Sequence, residues 1–367
     1  MAAVRWQDFY AAWHMRLLLL SRCPHKINAM TGVASMAGRM IAAISCLALA
    51  ALSPGSTAPL FSLGDYARPH RLVDVGGGRR LNLFCLGSGS PTVILDGGLG
   101  DDITSWRKVH SELARTTKVC AYDRAGNGFS DPGPVPRSAA ALSDDLERLI
   151  RAARLRPPYV IVGASIAGLH VRLFVDRHLP DVAGVVLVDP SFEHQVAQYE
   201  QATPAYRVSA EQQIATFRSC IARLRGGVPA AGSQTWKDCI GDPDPDLPPS
   251  VVQALVQRET SDSYRMVLSE ILEFEGQSAE QIDASRRSWG DLPLIILTAG
   301  GTSAPDADQA IRNRIWMEAH DRMARLSSRG ANRVVANATH HIQLSQPEAV
   351  IAAVNEVVAS ARSRQAR

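Results

Sequence analysis

Short apolar segments rich in Val, Ile and Leu alternate with amphipathic helical segments along most of this 367-residue chain. Eight of the apolar segments have the length and composition of strands that are buried on both faces. They comprise residues 71–75, 80–86, 92–96, 118–122, 159–163, 184–189, 294–298 and 333–336. Because alternating strands and helices form a mostly parallel sheet with helices on both faces, the sequence predicts an α/β fold.

Helical periodicity accounts for most of the connections between these strands. The predicted helices comprise residues 105–115, 139–154, 166–178, 308–327 and 347–363. The alternation stops between residues 191 and 288, where the sequence has helical segments but no strand-like run. These segments comprise residues 210–224, 250–258 and 263–275. We therefore predict a core formed by residues 59–190 and 289–367, with residues 191–288 inserted between two core strands as a helical lid.

Residues 1–58 differ in character from the rest of the chain. Arg39 precedes an almost wholly apolar stretch at residues 40–52, and Pro, Gly and small residues follow. This order is typical of a secretory signal peptide, and as a helix the stretch is too short for the roughly 30 Å hydrocarbon core of a bilayer. We therefore predict export to the periplasm or the medium, with translation starting at Met30 or Met36. The alternative is an uncleaved membrane anchor or a disordered N-terminal arm.

The composition excludes several other classes of protein. The 39 Lys and Arg residues nearly balance the 36 Asp and Glu residues, and no basic run follows a phosphate-binding pattern, so recognition of nucleic acid is not expected. A hydrophobic content of 46% is enough to build a core, which excludes a disordered chain. The sequence lacks C-x-x-C pairs and nucleotide-binding Gly-rich motifs, so we expect neither a metal nor an organic cofactor.

The segment YVIVGASIAGLHVRLF, residues 159–174, contains the most informative motif. A strand ends in Gly-Ala-Ser-Ile-Ala-Gly and passes directly into an amphipathic helix, which is the context of a nucleophile elbow. In such an elbow, a tight turn exposes a Ser hydroxyl above the sheet, and Ser165 is the predicted nucleophile. Ala167 takes the place of the second Gly of G-x-S-x-G, and Gly168 follows it. The alternative is an ordinary Gly-rich and Ala-rich turn between a strand and a helix.

Other motifs occur around this one in a defined order. They are DGGLG at residues 96–100, YDRAGNGFSD at 122–131, VVLVDPS at 185–191 and two histidines, His340 and His341, after the last predicted strand. In this order the motifs resemble those of the α/β-hydrolase superfamily over residues 70–360. The resemblance implies an α/β-hydrolase fold, with a mostly parallel eight-stranded sheet and an inserted helical lid, and an enzyme that acts through a nucleophilic Ser.

The resemblance also implies roles for several groups. The backbone N–H groups of Leu99 and Ile166 are expected to form an oxyanion hole. A Ser hydroxyl is a weak nucleophile at its ordinary pKa, so a His must accept its proton and later return it to the leaving group. His340 lies at the family position for that base, and His341 is the alternative.

The acid that orients the His has two candidates. In most relatives it follows the seventh core strand, where Asp306 and Asp308 lie a few residues beyond the usual position. In some dehalogenases it lies at the end of the sixth strand, which corresponds to Asp189. We favour Asp189, and Asp306 remains the alternative.

The resembled fold also suggests how four cysteines pair. The strands that contain Cys85 and Cys120 are neighbours in that fold, whereas Cys220 and Cys239 both lie in the predicted lid. We therefore predict the disulfides Cys85–Cys120 and Cys220–Cys239. The alternative is four buried thiols.

A Ser at the elbow argues against haloalkane dehalogenase and epoxide hydrolase chemistry, because those families use a carboxylate nucleophile. The resemblance implies hydrolysis of a carboxylic ester of a small uncharged substrate, with aminopeptidase-like, carbon–carbon bond hydrolase and cofactor-free haloperoxidase activities as alternatives. A non-catalytic binding module is an alternative of a different class. Some aromatic and Met side chains of the lid are candidates either to line the substrate pocket or simply to pack in the interior. They are Phe192, Tyr199, Trp236, Tyr264 and Met266.

Overall fold

The computed structural model describes residues 61–285, 288–303 and 305–365, in which eight strands form one sheet. The strands are β1 Arg71–Gly76, β2 Arg79–Leu86, β3 Thr92–Asp96, β4 Val119–Tyr122, β5 Tyr159–Ala164, β6 Val182–Val188, β7 Leu294–Ala299 and β8 Gly330–Val335. Their order across the sheet is β1-β2-β4-β3-β5-β6-β7-β8. β2 is antiparallel to both β1 and β4, and every other neighbouring pair is parallel. The predicted α/β-hydrolase fold with a mostly parallel eight-stranded sheet is confirmed.

Both faces of the central strands β3 to β7 are buried, as their apolar sequences predicted, whereas the edge strands β1 and β8 are partly exposed. In β5, Ile161 belongs to one apolar cluster, whereas Val160 and Val162 belong to the cluster on the other face. Helices outside the inserted segment supply many of the other residues of these clusters. They are His110–Leu113, Ala139–Ala153, Ala167–Arg177, Ala307–Ala324, Ile342–Ser345 and Pro347–Gln365.

The predicted helix at residues 105–115 is wrong in its extent. The structure has instead a 3-10 turn, Ile103–Trp106, and a separate one-turn helix, His110–Leu113. Two carboxylates set the earlier start, because Asp123 Oδ1 accepts the N–H of Ile103 at 2.8 Å and Asp102 Oδ1 accepts the N–H of Thr104 at 2.7 Å. The bond to Asp123, 20 residues away along the chain, is tertiary and is not visible in a periodic pattern.

Between β6 and β7, the described residues form helices and no strand. The α-helices are Gln195–Ala202, Ala205–Arg223, Pro249–Val256, Ser261–Glu273 and Ala279–Asp283, with π-helical segments at Trp236–Ile240 and Phe274–Ser278. The first and the last of these α-helices were not predicted. We call residues 191–288 the inserted segment. Phe217, Tyr264 and Leu268 belong to an apolar cluster that lies mostly within it.

Both predicted disulfides are present. Cys85 and Cys120 are directly paired residues of the neighbouring strands β2 and β4. Cys220 joins the helix Ala205–Arg223 to Cys239 in the inserted segment. Disulfides persist in oxidising compartments, so both bonds fit an exported protein.

The predicted leader, residues 1–58, lies outside the described residues. Within the described ranges, we find no helix that is both long enough and apolar enough to cross a membrane.

Candidate active site

Ser165 lies on a tight turn between β5 and the helix Ala167–Arg177. Its φ of +53° is in the left-handed region, which a non-Gly residue adopts only where its surroundings impose it. Three backbone hydrogen bonds hold the turn. The N–H of Ser165 donates to Val188 O at 3.0 Å, and Ser165 O accepts from the N–H groups of Gly168 at 2.9 Å and Ser191 at 2.8 Å. The sequence motif therefore forms the strained strand-turn-helix geometry that was predicted for it.

Gly168 explains why this elbow tolerates Ala at position 167. A Cβ atom on Gly168 would lie 2.7 Å from both Pro190 Cβ and Ser191 O, closer than real Cβ atoms approach. Ala167, in contrast, is completely buried and has room for its methyl group. In this chain, the position that requires a Gly is therefore 168, one residue after the second Gly of G-x-S-x-G.

His340 lies in the loop between β8 and the helix Ile342–Ser345. Its Nε2 is 2.9 Å from Ser165 Oγ, and its Nδ1 is 2.6 Å from Asp189 Oδ2. The neighbouring ring of His341 packs edge-on against it, with ring centroids 5.5 Å apart. Burial lowers the pKa of His341. Of the two adjacent histidines, His340 makes the hydrogen bonds to Ser165 and Asp189.

Asp189 follows β6 directly, in a left-handed conformation with φ +44°. Because β6 lies beside β7, Asp189 Oδ1 reaches the N–H of Ala299 at 2.9 Å, and it also accepts the Nε1–H of Trp316 at 2.8 Å. Burial acts to raise the pKa of Asp189, but the hydrogen bond and charge of His340 outweigh it and hold that pKa below its ordinary value. The carboxylate is therefore kept ionised beside the imidazole. Sequence reasoning missed Trp316, since no motif marks it.

Asp306, the other candidate acid, has a different local role. It is the N-cap of the helix Ala307–Ala324, where its Oδ1 accepts the N–H of Gln309 at 2.7 Å. A capping carboxylate satisfies an otherwise unpaired N–H at the start of a helix. The structure therefore brings Asp189, and not Asp306, into hydrogen-bond contact with His340.

Leu99 and Ile166, the predicted oxyanion-hole residues, both line a cavity beside the imidazole of His340. The loop before Leu99 packs against the elbow, since a Cβ atom on Gly98 would lie 3.3 Å from Ser165 Cβ. Among the described residues, the N–H groups of Leu99 and Ile166 donate to no protein acceptor. Two such N–H groups near a nucleophilic oxygen are what an oxyanion hole requires.

A buried ionic cluster that sequence reasoning missed lies beneath this loop. Arg124, which is 3% exposed, contacts Asp96 at the end of β3 and Glu270 on the helix Ser261–Glu273. It also donates to the backbone carbonyls of Gly97 and Gly98. Arg124 and Asp96 belong to motifs that the sequence shows, but Glu270 is 146 residues from Arg124 along the chain and no motif marks it.

The cavity next to His340 has a volume of about 480 Å³. Its apolar lining includes Leu99, Ile166, Val196, Ile214, Ile271 and Phe274, and its polar lining includes Gln213, Glu275, Asp306, Asp308, Arg312 and Asn313. The inserted segment supplies much of both sets. Within the described ranges, we find no group of three or more His, Cys, Asp or Glu side chains arranged to bind a metal ion.

The lid residues suggested as pocket lining do not line this cavity in the described structure. Phe192 and Tyr199 are buried in the core cluster, and Tyr264 is buried in the inserted segment's own cluster. Met266 packs against Gly126, and Trp236 starts a π-helical segment. The alternative, that these side chains pack in the interior, is therefore correct for Phe192, Tyr199, Tyr264 and Met266, which are all buried.

Residues 93–353 match the model of the alpha/beta hydrolase family, which is more than half of the chain. The chain belongs to the alpha/beta hydrolase family. The membership agrees with the fold described above.

The match to a curated relative extends over only part of that relative's length. This alpha/beta hydrolase is 32% identical over 151 residues to a protein of Hormonema carpetanum named "Probable transporter efuK", a match that covers 38% of this chain and 21% of the relative. The chain thus spans about a fifth of the length of that curated relative.

Solved structures of the same fold match over most of the chain. A thermophilic esterase from Thermogutta terrifontis has a TM-score of 0.52 at 22% identity, covering 80% of this chain and 99% of the esterase. An enol-lactonase from Burkholderia xenovorans has a TM-score of 0.50 at 16% identity, covering 78% of this chain and 99% of the lactonase. At such identities, the likeness establishes the fold of the hydrolase and not its substrate.

Proposed function

We propose that this alpha/beta hydrolase is a serine hydrolase that cleaves a carboxylic ester of a small uncharged substrate. The observation that carries the proposal is the continuous hydrogen-bonded series from Ser165 Oγ to His340 Nε2, at 2.9 Å, and from His340 Nδ1 to Asp189 Oδ2, at 2.6 Å. These three side chains come from three separate segments, and their arrangement is that of a Ser-His-Asp triad.

In the first half of the reaction, Ser165 Oγ attacks the ester carbonyl while His340 Nε2 accepts the hydroxyl proton. The ionised carboxylate of Asp189 stabilises the imidazolium that forms. The N–H groups of Leu99 and Ile166 donate to the oxyanion of the tetrahedral intermediate. When this intermediate collapses, the C–O bond to the alcohol breaks and His340 gives its proton to the leaving alkoxide, which leaves an acyl-enzyme on Ser165.

In the second half, water replaces the alcohol. His340 Nε2 accepts a proton from the water as the water oxygen attacks the acyl carbonyl, and the same N–H groups hold the second oxyanion. Collapse breaks the bond to Ser165 Oγ, which recovers the proton from His340. The products are one carboxylic acid and one alcohol, and the enzyme returns to its starting state.

The cavity supports a small substrate with an apolar acyl group. Its volume of about 480 Å³ is within the range of roughly 300–1,000 Å³ of small-molecule sites. Ile214 and Ile271, both from the inserted segment, face this cavity. This contribution supports the interpretation of residues 191–288 as a lid that shapes the acyl pocket on a core formed by residues 59–190 and 289–367.

The two disulfides support export of the mature enzyme, with residues 1–58 acting as its signal peptide. N-terminal sequencing of protein recovered from the periplasm or the medium tests this. A mature start after the apolar stretch at residues 40–52 is expected, and a start near Met1 contradicts the interpretation.

A panel of nitrophenyl esters with acyl chains of increasing length tests the enzymatic proposal. We expect turnover by the purified protein, and we expect Ser165→Ala and His340→Ala to lose nearly all of it. His341→Ala is the matched control and keeps most of the activity. The reverse result for the two histidines reassigns the base.

Labelling with a fluorophosphonate, followed by mass spectrometry of the modified peptide, identifies the nucleophile directly. We expect one label, on Ser165. A protein that hydrolyses no ester and takes no label is a binding module of this fold and not an enzyme. Turnover of amino-acid amides or of carbon–carbon bonds in preference to esters favours the aminopeptidase-like or carbon–carbon bond hydrolase activity instead.

A further inference from the structure

All five N–H groups of the Arg124 guanidinium have acceptors. Nε donates to Glu270 Oε1 at 3.3 Å, and Nη2 donates to Glu270 Oε2 at 3.1 Å and to Gly98 O at 2.6 Å. Nη1 donates to Asp96 Oδ1 at 3.0 Å and to Gly97 O at 2.5 Å. A guanidinium has five donors in a rigid planar array, so the positions of all four partner residues are tied to one another.

One of these acceptors belongs to the peptide that carries an oxyanion donor. The C=O of Gly98 and the N–H of Leu99 are parts of the same planar trans peptide, in which they point in opposite directions. A hydrogen bond that holds Gly98 O therefore sets the direction of the Leu99 N–H. The same hydrogen bond polarises the peptide and strengthens that N–H as a donor.

The loop needs this external support because two glycines precede Leu99. Gly has the widest choice of backbone conformations, so Gly97 and Gly98 do not define the path of the loop by themselves. A second side chain restrains the preceding peptide, since Asp101 Oδ2 accepts the N–H of Gly98 at 2.7 Å. Both peptides that flank Gly98 are thus held by charged side chains.

Stability alone does not account for so many charges in the interior. Asp96 and Glu270 are no more than 2% exposed, and the transfer of ions from water into the interior costs several kcal/mol for each ion. Asp96 Oδ2 also accepts a hydrogen bond from Tyr122 Oη at 2.5 Å and lies 2.8 Å from His170 Nε2. Packed apolar side chains stabilise a core as well as such a cluster does, so the cluster points to a role in geometry.

We propose that Arg124 is a positioning residue that orients the Leu99 N–H towards the oxyanion. Through Glu270, this orientation also depends on the inserted segment. The proposal rests on the proposed function, since Leu99 acts as an oxyanion donor only if Ser165 performs acyl transfer. Neither residue touches the substrate. Their effect is on the transition state, in which the oxyanion carries its charge, and not on binding of the neutral ester.

Two conservative variants test the proposal. Arg124→Lys keeps one positive charge, but an ammonium group has three N–H donors and cannot serve five acceptors. Glu270→Gln keeps the shape of the side chain but removes the charge that holds Nε and Nη2. Complete loss of an oxyanion donor lowers kcat by about 100- to 1,000-fold. We therefore expect a fall in kcat of about 10- to 100-fold for either variant, with KM changed by less than about 3-fold.

The matched control is Arg137→Lys. Arg137 is also buried, at 1% exposure, and its Nη2 pairs with Asp145 at 2.8 Å on the helix Ala139–Ala153. Its side chain contacts neither of the glycines before Leu99 in the described hydrogen bonds. This variant measures what the loss of a buried guanidinium does to stability, and we expect it to leave kcat per active site within about 2-fold of the original.

Active-site titration with the fluorophosphonate normalises kcat to the folded fraction. It therefore separates a loss of folded protein from a wrong orientation of the Leu99 N–H. A trifluoromethyl ketone, whose adduct with Ser165 bears an oxyanion, supplies a readout that a purely structural role does not move. Its inhibition constant should rise in parallel with the fall in kcat/KM for Arg124→Lys and Glu270→Gln, and stay constant for Arg137→Lys.

Unchanged kcat and inhibition constants in both test variants, in protein whose Ser165 still takes the label, overturn this inference and leave the proposed function intact. If Arg124→Lys does not fold, Glu270→Gln decides the question by the same measurements. Turnover that persists in Ser165→Ala, or the absence of a label on Ser165, overturns the proposed function itself.

Discussion

At the scale of single residues, Asp189 and Asp306 are the two candidates for the acid that orients His340. Asp189 and Asp306 both follow strands that end at the same edge of the sheet, because β6 and β7 are parallel neighbours. Separation along the chain does not say which carboxylate meets an imidazole. That depends on contacts such as those of Asp189 with Ala299 and Trp316, which only the folded chain creates.

Parallel substitutions of the two acids test their assignment. Asp189→Asn should lower kcat by about 10,000-fold, because an amide cannot stabilise the imidazolium and favours the wrong imidazole tautomer. Asp306→Asn is the control and should leave kcat nearly unchanged, since Asn is also a good N-cap. Steady-state kinetics on an ester substrate measure both. A larger loss in Asp306→Asn identifies that residue as the acid.

At the scale of elements, all eight strands were predicted to within a few residues, and the central ones are runs of buried apolar residues that have few other interpretations. The helices were less predictable. The segment at 105–115 forms two short pieces, because Asp123 accepts the N–H of Ile103. The helix Gln195–Ala202 has no strong apolar periodicity. Hydrogen bonds between distant residues, which the sequence does not reveal, decided these boundaries.

The helix that follows Ser165 supplies a prediction at the same scale. Gly168→Ala should lower the free energy of unfolding by about 1–3 kcal/mol, because its methyl group collides with Pro190 and Ser191 and must displace the elbow. Kcat should also fall, since the displacement moves Ser165. Urea denaturation and active-site titration measure the two effects.

A second glycine substitution serves as the control for this prediction. Gly226→Ala adds a methyl group where no atom lies within 4 Å, so stability and kcat should stay close to those of the original protein. Equal effects in both variants mean that steric crowding at the elbow is not the cause.

At the scale of the whole molecule, the family and the fold could be predicted from the sequence, but the wall of the cavity and the side chains that hold the loop before Leu99 could not. The predicted pocket residues were chosen for their size and chemistry, and three of them, Phe192, Tyr199 and Tyr264, are buried in apolar clusters instead. Arg124 and Glu270 meet only because the inserted segment returns to the core. Contacts between such distant segments leave no local pattern.

The stability of the whole protein should depend on pH through His110. This ring is completely buried and packs edge-on against Phe84, and its Nε2 lies 3.1 Å from Val119 O. Burial lowers the pKa of His110 to about 4, from an ordinary value of 6.5. The unfolded chain therefore binds a proton on this residue as the pH falls through 6.5, whereas the folded chain binds it only near pH 4. This contribution to stability is complete above pH 6.5 and is lost progressively between about 6.5 and 4.

His110→Phe removes the titration while keeping a ring of similar shape. Urea unfolding at several pH values from 7 to 4 should show a shallower loss of stability in the variant, by on the order of 2–3 kcal/mol over that range. Parallel curves for the two proteins mean that His110 does not contribute to acid sensitivity.

The five-acceptor environment of Arg124 also bears on how this enzyme can change over evolution. In a chimaera that takes residues 191–288 from another family member, the loop before Leu99 keeps its conformation only if the new segment has an acid at the position of Glu270. Without that acid, Arg124 loses two of its acceptors. The inserted segment is therefore not a freely exchangeable module. New substrate preferences are more accessible through single substitutions on the cavity wall, at positions such as Ile214 and Ile271, than by exchange of the whole segment.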